Sequence, residues 1–228
     1  MLNLNELLNG DTRQMSSVFR YSSLPHGRPE NVAEHSYYVV FYCLLIAKDM
    51  ERDGYKIDYY RLLVSAIIHD LDEAITGDII RPVKYSSEEL RDMLGKVADI
   101  YCRHTLRKLD IAEAEQLYDL WEKARDPATI EGQILQVCDM LSVISYCIER
   151  IRSGNSYMQT ILRGAYENFL RRLKTPVYLK YETQIKELCE RFYGDAEPQL
   201  MLLIDQMNKG TPAAEHPIKE GGTESGTK

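Results

Sequence analysis

The residues best able to do chemistry fall in one short stretch, Ala66-Ile67-Ile68-His69-Asp70-Leu71-Asp72-Glu73-Ala74-Ile75-Thr76-Gly77-Asp78. An apolar, helix-patterned run (Leu62, Leu63, Val64, Ala66, Ile67, Ile68) ends in an adjacent imidazole and carboxylate, and the carboxylates Glu73 and Asp78 follow. Such groups at the end of a buried helix are costly to desolvate unless something pairs with them. A divalent metal ion would use both at once, because imidazole and carboxylate together suit zinc and other first-row ions. A histidine–aspartate dipeptide alone carries little weight, since such pairs recur by chance. Its weight comes from what the other elements bring to it.

Asn31-Val32-Ala33-Glu34 reads as a capping-box start for a long helix to about Arg52. Val39, Cys43, Ile46 and Met50 recur along it at helical spacing, with Val40, Leu44 and Ala47 widening the stripe. His35 lies in its first turns, and alone reads better as a half-buried polar residue at a helix start. Asp58 caps the helix that ends at His69 and Asp70, and Pro82 breaks the segment after Asp78. Asp126-Pro127 puts proline at a first helical position, ahead of an apolar helix carrying Ile130, Ile134, Leu135, Val137, Cys138, Met140, Leu141, Val143 and Ile144. Asp139 sits among them. A carboxylate in a core needs a cation, good hydrogen bonds or a shifted pKa; the alternative is a polar stripe shared with Gln133, Gln136 and Ser142. Together, His35, His69-Asp70 and Asp139 bring two imidazoles and two carboxylates from three helices, an arrangement able to hold one divalent ion within a bundle.

The remaining elements read as helices too. Residues 2–24 give a short helix and a second around Thr12 to Tyr21, anchored by Leu4, Leu7 and Leu8, before the Pro25-His26-Gly27-Arg28-Pro29 loop. Ser86-Ser87-Glu88-Glu89 is a second capping box, opening a helix with Leu90, Leu94, Val97, Ile100 and Tyr101. Asp110 caps a helix to about Arg125 with Leu117, Leu120 and Trp121. Ser153-Gly154-Asn155 ends the Asp139 helix, another runs to about Lys174, Pro176 opens the next, and Gly194-Asp195 with Pro198 the last. No convincing alternating strand pattern occurs, so the fold class is all-α, one domain over 1–207. Residues 208–228, nearly devoid of apolar side chains, form an expected disordered tail.

Composition narrows the function classes. At 44% apolar and 28% charged the chain is globular, and its net charge of -7 argues against a general nucleic-acid or anionic-membrane surface. An anionic substrate must then be drawn by a local cation or metal. The five cysteines form no CxxC pair and read as reduced core thiols. With no basic leader and no run of eighteen apolar residues, a cytoplasmic protein is expected.

Four motifs carry a family resemblance: Glu30-Asn31-Val32-Ala33-Glu34-His35-Ser36; His69-Asp70-x-x-Glu73; Thr76-Gly77-Asp78 with Pro82-Val83-Lys84-Tyr85; and Gln136-Val137-Cys138-Asp139. Over roughly residues 12–150 their order and separation resemble the HD-domain phosphohydrolases, with their H…HD…D metal pattern, and within them the YfbR-like 5'-deoxynucleotidases. The resemblance implies an HD-domain helical bundle with one buried divalent metal (Co, Mn, Zn or Mg) on His35, His69, Asp70 and Asp139. It makes Glu73 the catalytic carboxylate, puts Arg20 on the substrate phosphate, and sets Asp78 at the sugar 3'-hydroxyl. Thr76 and Lys84 join the substrate-binding set; without the resemblance they read as turn residues, and Arg20 as a solvated surface cation. Tyr21 departs from the family's tryptophan, which excludes ribose, so a looser preference for deoxyribose is expected. His26 and His104 match nothing and read as surface residues.

The implied activity is metal-dependent hydrolysis of 2'-deoxyribonucleoside 5'-monophosphates to deoxynucleoside and phosphate. A divalent ion with an open coordination position lowers the pKa of bound water and polarises a phosphoryl oxygen. Glu73, one helical turn past His69, is able to act on the water or on the leaving oxygen. The partner is a small-molecule deoxynucleotide rather than a nucleic acid polymer or a membrane, and the resemblance suggests a homodimer. Two alternatives stand beside this. A dNTP triphosphohydrolase of the same superfamily would favour more cations near the pocket than the candidates Arg20, Arg28, Arg81 and Lys84. A non-enzymatic, metal-stabilised interaction module would not need Glu73 and Asp78.

Overall fold

The computed structural model describes residues 2–192 apart from 23, 25, 26, 85, 172 and 173. The expected domain boundary at 207, the tail 208–228, the helix near Gly194 and His26 lie outside the described residues. Among the described residues the regular structure is helical, and the only extended pairing is an antiparallel bridge between Phe19 and Asn31.

The chain opens with α1 (Leu4–Asn9) and a 3-10 turn (Asp11–Ser16), followed by the long α2 (Val32–Arg52), α3 (Tyr59–Ile68), and two single-turn helices, α4 (Glu73–Thr76) and α5 (Arg81–Lys84). Then come α6 (Glu88–Lys108), α7 (Ala114–Glu122), the long α8 (Ile130–Arg152), α9 (Met158–Arg171) and α10 (Pro176–Glu190). The helices α2 and α8 pack together most extensively, with α3 against both and α9 and α10 against α8. Between them lies the main core, built from Val39, Cys43, Ala47, Leu62, Ala66, Ile134, Leu135, Cys138 and Ile144 among others. A smaller core of Leu71, Cys102, Leu106, Ala114 and Tyr118 joins α6 and α7 to the segment after α3.

Local chemistry sets where the key helices begin. The Asn31 side chain accepts from the Glu34 N–H at 2.9 Å, and the Glu34 carboxylate accepts from the Asn31 N–H at 3.3 Å. This reciprocal cap starts α2 at Val32 and puts His35 on the buried stripe continued by Val39 and Cys43. Asp58 caps α3 by accepting from the Arg61 N–H at 2.9 Å. Leu62, Ser65, Ala66 and His69 then share the inward side, at the i, i+3, i+4, i+7 spacing of one helix face. Proline opens α10 at Pro176 behind the Thr175 cap.

Other local expectations are corrected. Leu4, Leu7 and Leu8 are exposed rather than anchors, and the second N-terminal helix is only a 3-10 turn ending at Ser16. The cap of α6 is Ser87, a single hydrogen bond from the Leu90 N–H instead of a reciprocal box. Val97 and Ile100 face solvent, and α6 buries Ala98, Cys102 and Leu106 instead, because its partner α7 lies on that side. Asp110 is not a cap but a turn residue with φ of 51°, and α7 starts at Ala114. Likewise α8 starts at Ile130 behind a Thr129 cap, with Pro127 in the preceding turn. All five cysteines are free and buried. No helix among the described residues is long and apolar enough to cross a membrane.

Candidate active site

Three helices deliver the expected metal residues to one buried point. His35 comes from the second turn of α2, His69 and Asp70 from the end of α3, and Asp139 from the middle of α8. One ligand atom each of His35, His69 and Asp70 lies within 4.8 Å of the others. Asp139 stands outside that tightest group but puts Oδ1 3.2 Å from His35 Nε2. Asp70 Oδ2 is 3.0 Å from His69 Nε2 and 3.6 Å from His35 Nε2.

The protons on the imidazoles decide what this point can hold. His69 Nδ1 lies 2.7 Å from the Ala66 carbonyl oxygen, which only accepts, so the proton sits on Nδ1 and the Nε2 lone pair faces Asp70. His35 Nδ1 meets Ser142 Oγ at 3.0 Å, which permits the same tautomer. Burial, reinforced by Arg20, lowers the His35 pKa to about 4, so the ring is neutral at neutral pH. At His69 an imidazole lone pair thus faces a carboxylate oxygen at 3.0 Å, and this Nε2 is buried without a hydrogen-bond partner. A divalent cation satisfies that donor set, two imidazole nitrogens and two carboxylate oxygens.

The carboxylates are held ionised. Burial works to raise the pKa of Asp70, but the positive charge around it, with Arg125 2.8 Å from Oδ1, holds it well below the usual carboxylate range. Burial likewise opposes ionisation of Asp139, and Arg125 overrides it. Glu73, at the start of α4, behaves oppositely: burial first, then the charge of Asp70, raises its carboxyl well above the ordinary value. Its Oε2 is buried without a hydrogen-bond partner.

Arg20 is buried beside them, a departure from the surface cation that its sequence context alone suggests. Its guanidinium lies 3.7 Å from Glu30 Oε2 and 3.8 Å from Asp70 Oδ2, and its Nε has no hydrogen-bond partner. Tyr21 follows in a left-handed conformation, φ 57°, a strained geometry for a bulky side chain. Two contacts hold it. Its N–H donates to Asp78 Oδ2 at 3.1 Å, and its ring stacks on Tyr146 at 5.6 Å with the planes 9° apart. Asp78 is brought there by Gly77, whose φ of 70° and ψ of 171° suit glycine almost alone. The Thr76 hydroxyl is within reach of the Asp72 and Gly77 carbonyls, at 3.1 and 3.2 Å, and so is engaged by its own turn. Lys84 is half-buried in α5, and its charge acts on Asp72 and Glu73. Arg28 pairs with Glu34 at the surface, and His104 is exposed.

Sequence reasoning missed several members of the cluster. Arg125 reaches from the turn before α8 to Asp70 Oδ1 at 2.8 Å and Asp139 Oδ2 at 3.3 Å. Its own carbonyl accepts from Gln136 Nε2 at 2.6 Å, which ties the turn to α8. Glu30, buried under Arg20, has its pKa raised to about 7 by burial, against the pull of Arg20. Ser142 and Tyr146 face the site from the same side of α8 as Asp139. Spacing on α8 could have flagged those two at i+3 and i+7 from Asp139; nothing local could have flagged Arg125.

Comparison with known proteins points to one family. The family model described as 5'-deoxynucleotidase YfbR-like matches residues 11–200, which include every residue of the cluster. The 5'-deoxynucleotidase of Pectobacterium atrosepticum is 23% identical over 201 residues, covering 87% of this chain and 94% of its own. That of Photorhabdus laumondii is 28% identical over 144 residues, 62% of this chain and 72% of its own. Among solved structures, an HD-domain phosphohydrolase of Listeria innocua superposes with a TM-score of 0.64 at 23% identity, covering 88% of this chain and 98% of the other. The helical bundle is therefore the HD-domain fold, a fold whose family implies a divalent metal, and by a match across most of its length the chain belongs to the YfbR-like 5'-deoxynucleotidase family.

Proposed function

We propose that this protein hydrolyses 2'-deoxyribonucleoside 5'-monophosphates to deoxynucleoside and phosphate, with one divalent cation held by His35, His69, Asp70 and Asp139. The observation that carries the reading is the convergence of those side chains on one buried point, with an unpartnered His69 Nε2, in a chain of this family. When bound, the cation supplies Lewis acidity toward water and a phosphoryl oxygen; Co, Mn, Zn and Mg are the candidates.

The protein's own groups divide the remaining work. Arg20 binds the phosphate through paired guanidinium N–H donors. Glu73, protonated further toward neutral pH than an ordinary carboxyl, hands its proton to the departing 5' oxygen as the P–O5' bond breaks. The oxygen of the attacking water joins phosphorus, and the proton it releases restores Glu73. Asp78 Oδ2 is engaged by the Tyr21 N–H, and its other oxygen accepts from the sugar 3'-hydroxyl. The Tyr21 ring, braced by Tyr146, forms the wall beside C2'. Thr76 and Lys84 complete the substrate side, Thr76 by shaping the turn to Asp78 and Lys84 by its charge beside Glu73. The protein acts as a homodimer in the cytoplasm, a setting that suits five free thiols.

A phosphate-release screen over dNMPs, NMPs and dNTPs with Mn, Co, Mg or Zn tests the reading. Phosphate released from dNMPs in a chelator-sensitive manner is the expected result. Tripolyphosphate released from dNTPs would make the protein a triphosphohydrolase, and no release from any nucleotide would make it a binding module.

A further inference from the structure

Each ligand carboxylate in the cluster is split between two partners. Asp70 turns Oδ2 toward His69 and His35, and Oδ1 toward Arg125 at 2.8 Å. Asp139 turns Oδ1 toward His35, and Oδ2 toward Arg125 at 3.3 Å. A single guanidinium nitrogen therefore bridges the outer oxygens of both carboxylates, leaving the inner oxygen of each for the centre. The arginine is itself fixed. Gln136 holds its carbonyl, and its other terminal nitrogen reaches the His69 carbonyl at 3.5 Å. From the opposite side Arg20 stands 3.8 Å from Asp70 Oδ2, but no contact joins it to Asp139, so Arg125 is the cation common to both carboxylates among the described residues.

An outer partner that is anionic raises the donor strength of the ligand it touches. A cationic one does the reverse: it draws charge from the carboxylates and repels the incoming ion. Without a metal, that same cation keeps two neighbouring buried carboxylates from standing uncompensated, a costly state. From this geometry we propose that Arg125 is a built-in counter-cation of the metal centre, holding Asp70 and Asp139 in place when no metal is bound and lowering the centre's affinity for the divalent ion. Arg125 is a positioning residue here, acting through the two carboxylates. The inference rests on reading His35, His69, Asp70 and Asp139 as the metal ligands, and sets how readily that metal exchanges.

The test uses the full chain as wild type, Arg125→Gln and Arg125→Lys. Each is stripped of metal and titrated with Co(II) or Zn(II) in competition with a chelating indicator, and thermal midpoints are recorded with and without metal. Arg125→Gln should bind the ion about tenfold more tightly or better, since a positive charge a few ångströms away has been removed. Its midpoint should fall in the metal-free form and recover on loading, so that the metal-dependent gain exceeds that of wild type. Arg125→Lys keeps the charge and should restore both quantities toward wild type. If Arg125→Gln fails to fold without metal, preparing it loaded and following metal loss to excess chelator gives the same comparison, with slower loss expected. Equal affinity in all three proteins, weaker binding in Arg125→Gln, or an equal loss of stability with and without metal would overturn the inference and leave Arg125 a structural contact. Failure of Arg125→Gln to fold even with metal would overturn it in the same way. A wild-type protein that binds no divalent ion would overturn the ligand reading itself, and this inference with it.

Discussion

At the residue scale the site is a set of groups whose environments push them apart. Asp70 and Asp139 are held ionised with Arg125 against both, while Glu73, a few residues from Asp70, is pushed toward its protonated form by burial and by the charge of Asp70. Carboxyls driven in opposite directions mark a division of labour between binding and proton transfer. Glu73→Gln keeps the shape and removes the proton. We expect metal content and KM close to wild type, and kcat lowered by about 10²–10⁴-fold. Steady-state kinetics on dAMP with metal analysis of the same sample checks it; near-wild-type kcat would move the acid role to another group. Tyr21 carries the second residue-scale expectation. A tyrosine ring braced by Tyr146 is smaller than tryptophan, so incomplete exclusion of a 2'-hydroxyl is the expected outcome. The ratio of kcat/KM for dAMP over AMP should exceed one in wild type and rise in Tyr21→Trp. Ratios equal to one in both proteins would show that this ring is not the sugar wall.

At the element scale the geometry depends on where α8 begins. Its first turn runs so close to the preceding turn that a Cβ at Gly132 would collide with the backbone of Asp126. That close approach sets the Arg125–Asp126 segment against α8, and with it the reach of Arg125 to Asp139. Gly132→Ala should therefore cost about 1–3 kcal/mol of stability through overpacking, despite the higher helix propensity of alanine. Chemical denaturation measures this directly. A variant as stable as wild type would mean that the turn gives way freely, and that the Arg125 contact does not depend on it.

At the scale of the whole molecule, the proposed metal would join helices that the core already brings together. The proposed ligands come from α2, α3 and α8, the same three helices that pack against one another around Val39, Leu62, Ala66 and Leu135. A cation bound to the folded state alone stabilises it by about 2.7 kcal/mol at a hundred times its Kd. For a domain of this size that is roughly 5–11 °C in the thermal midpoint. Calorimetry with a divalent ion at that excess, and again with chelator, should show a drop of this order on chelation. A midpoint indifferent to metal and chelator would mean that the cluster is not a metal site.

The sequence alone determined the helix-only class, the capping of α2 and α3, and four of the side chains that meet in the cluster. These are local facts: an Asn-x-x-Glu cap or an apolar stripe depends on residues three or four apart, and the chain carries them wherever it folds. His35, His69-Asp70 and Asp139 were legible because each lies on such a stripe, where a polar residue stands out. Where the local signal was ambiguous, packing decided. On α6, Val97 and Ile100 have the right spacing yet face solvent, because α7 packs on the other side. Arg20 reads as a surface cation until the bridge between Phe19 and Asn31 carries it inside, beside Glu30 and Asp70. Arg125 lies 55 residues from Asp70 in an unremarkable turn, and only tertiary structure joins them. The physical reason is that an ion pair depends on distance in space, whereas spacing along a helix records only which residues share a face.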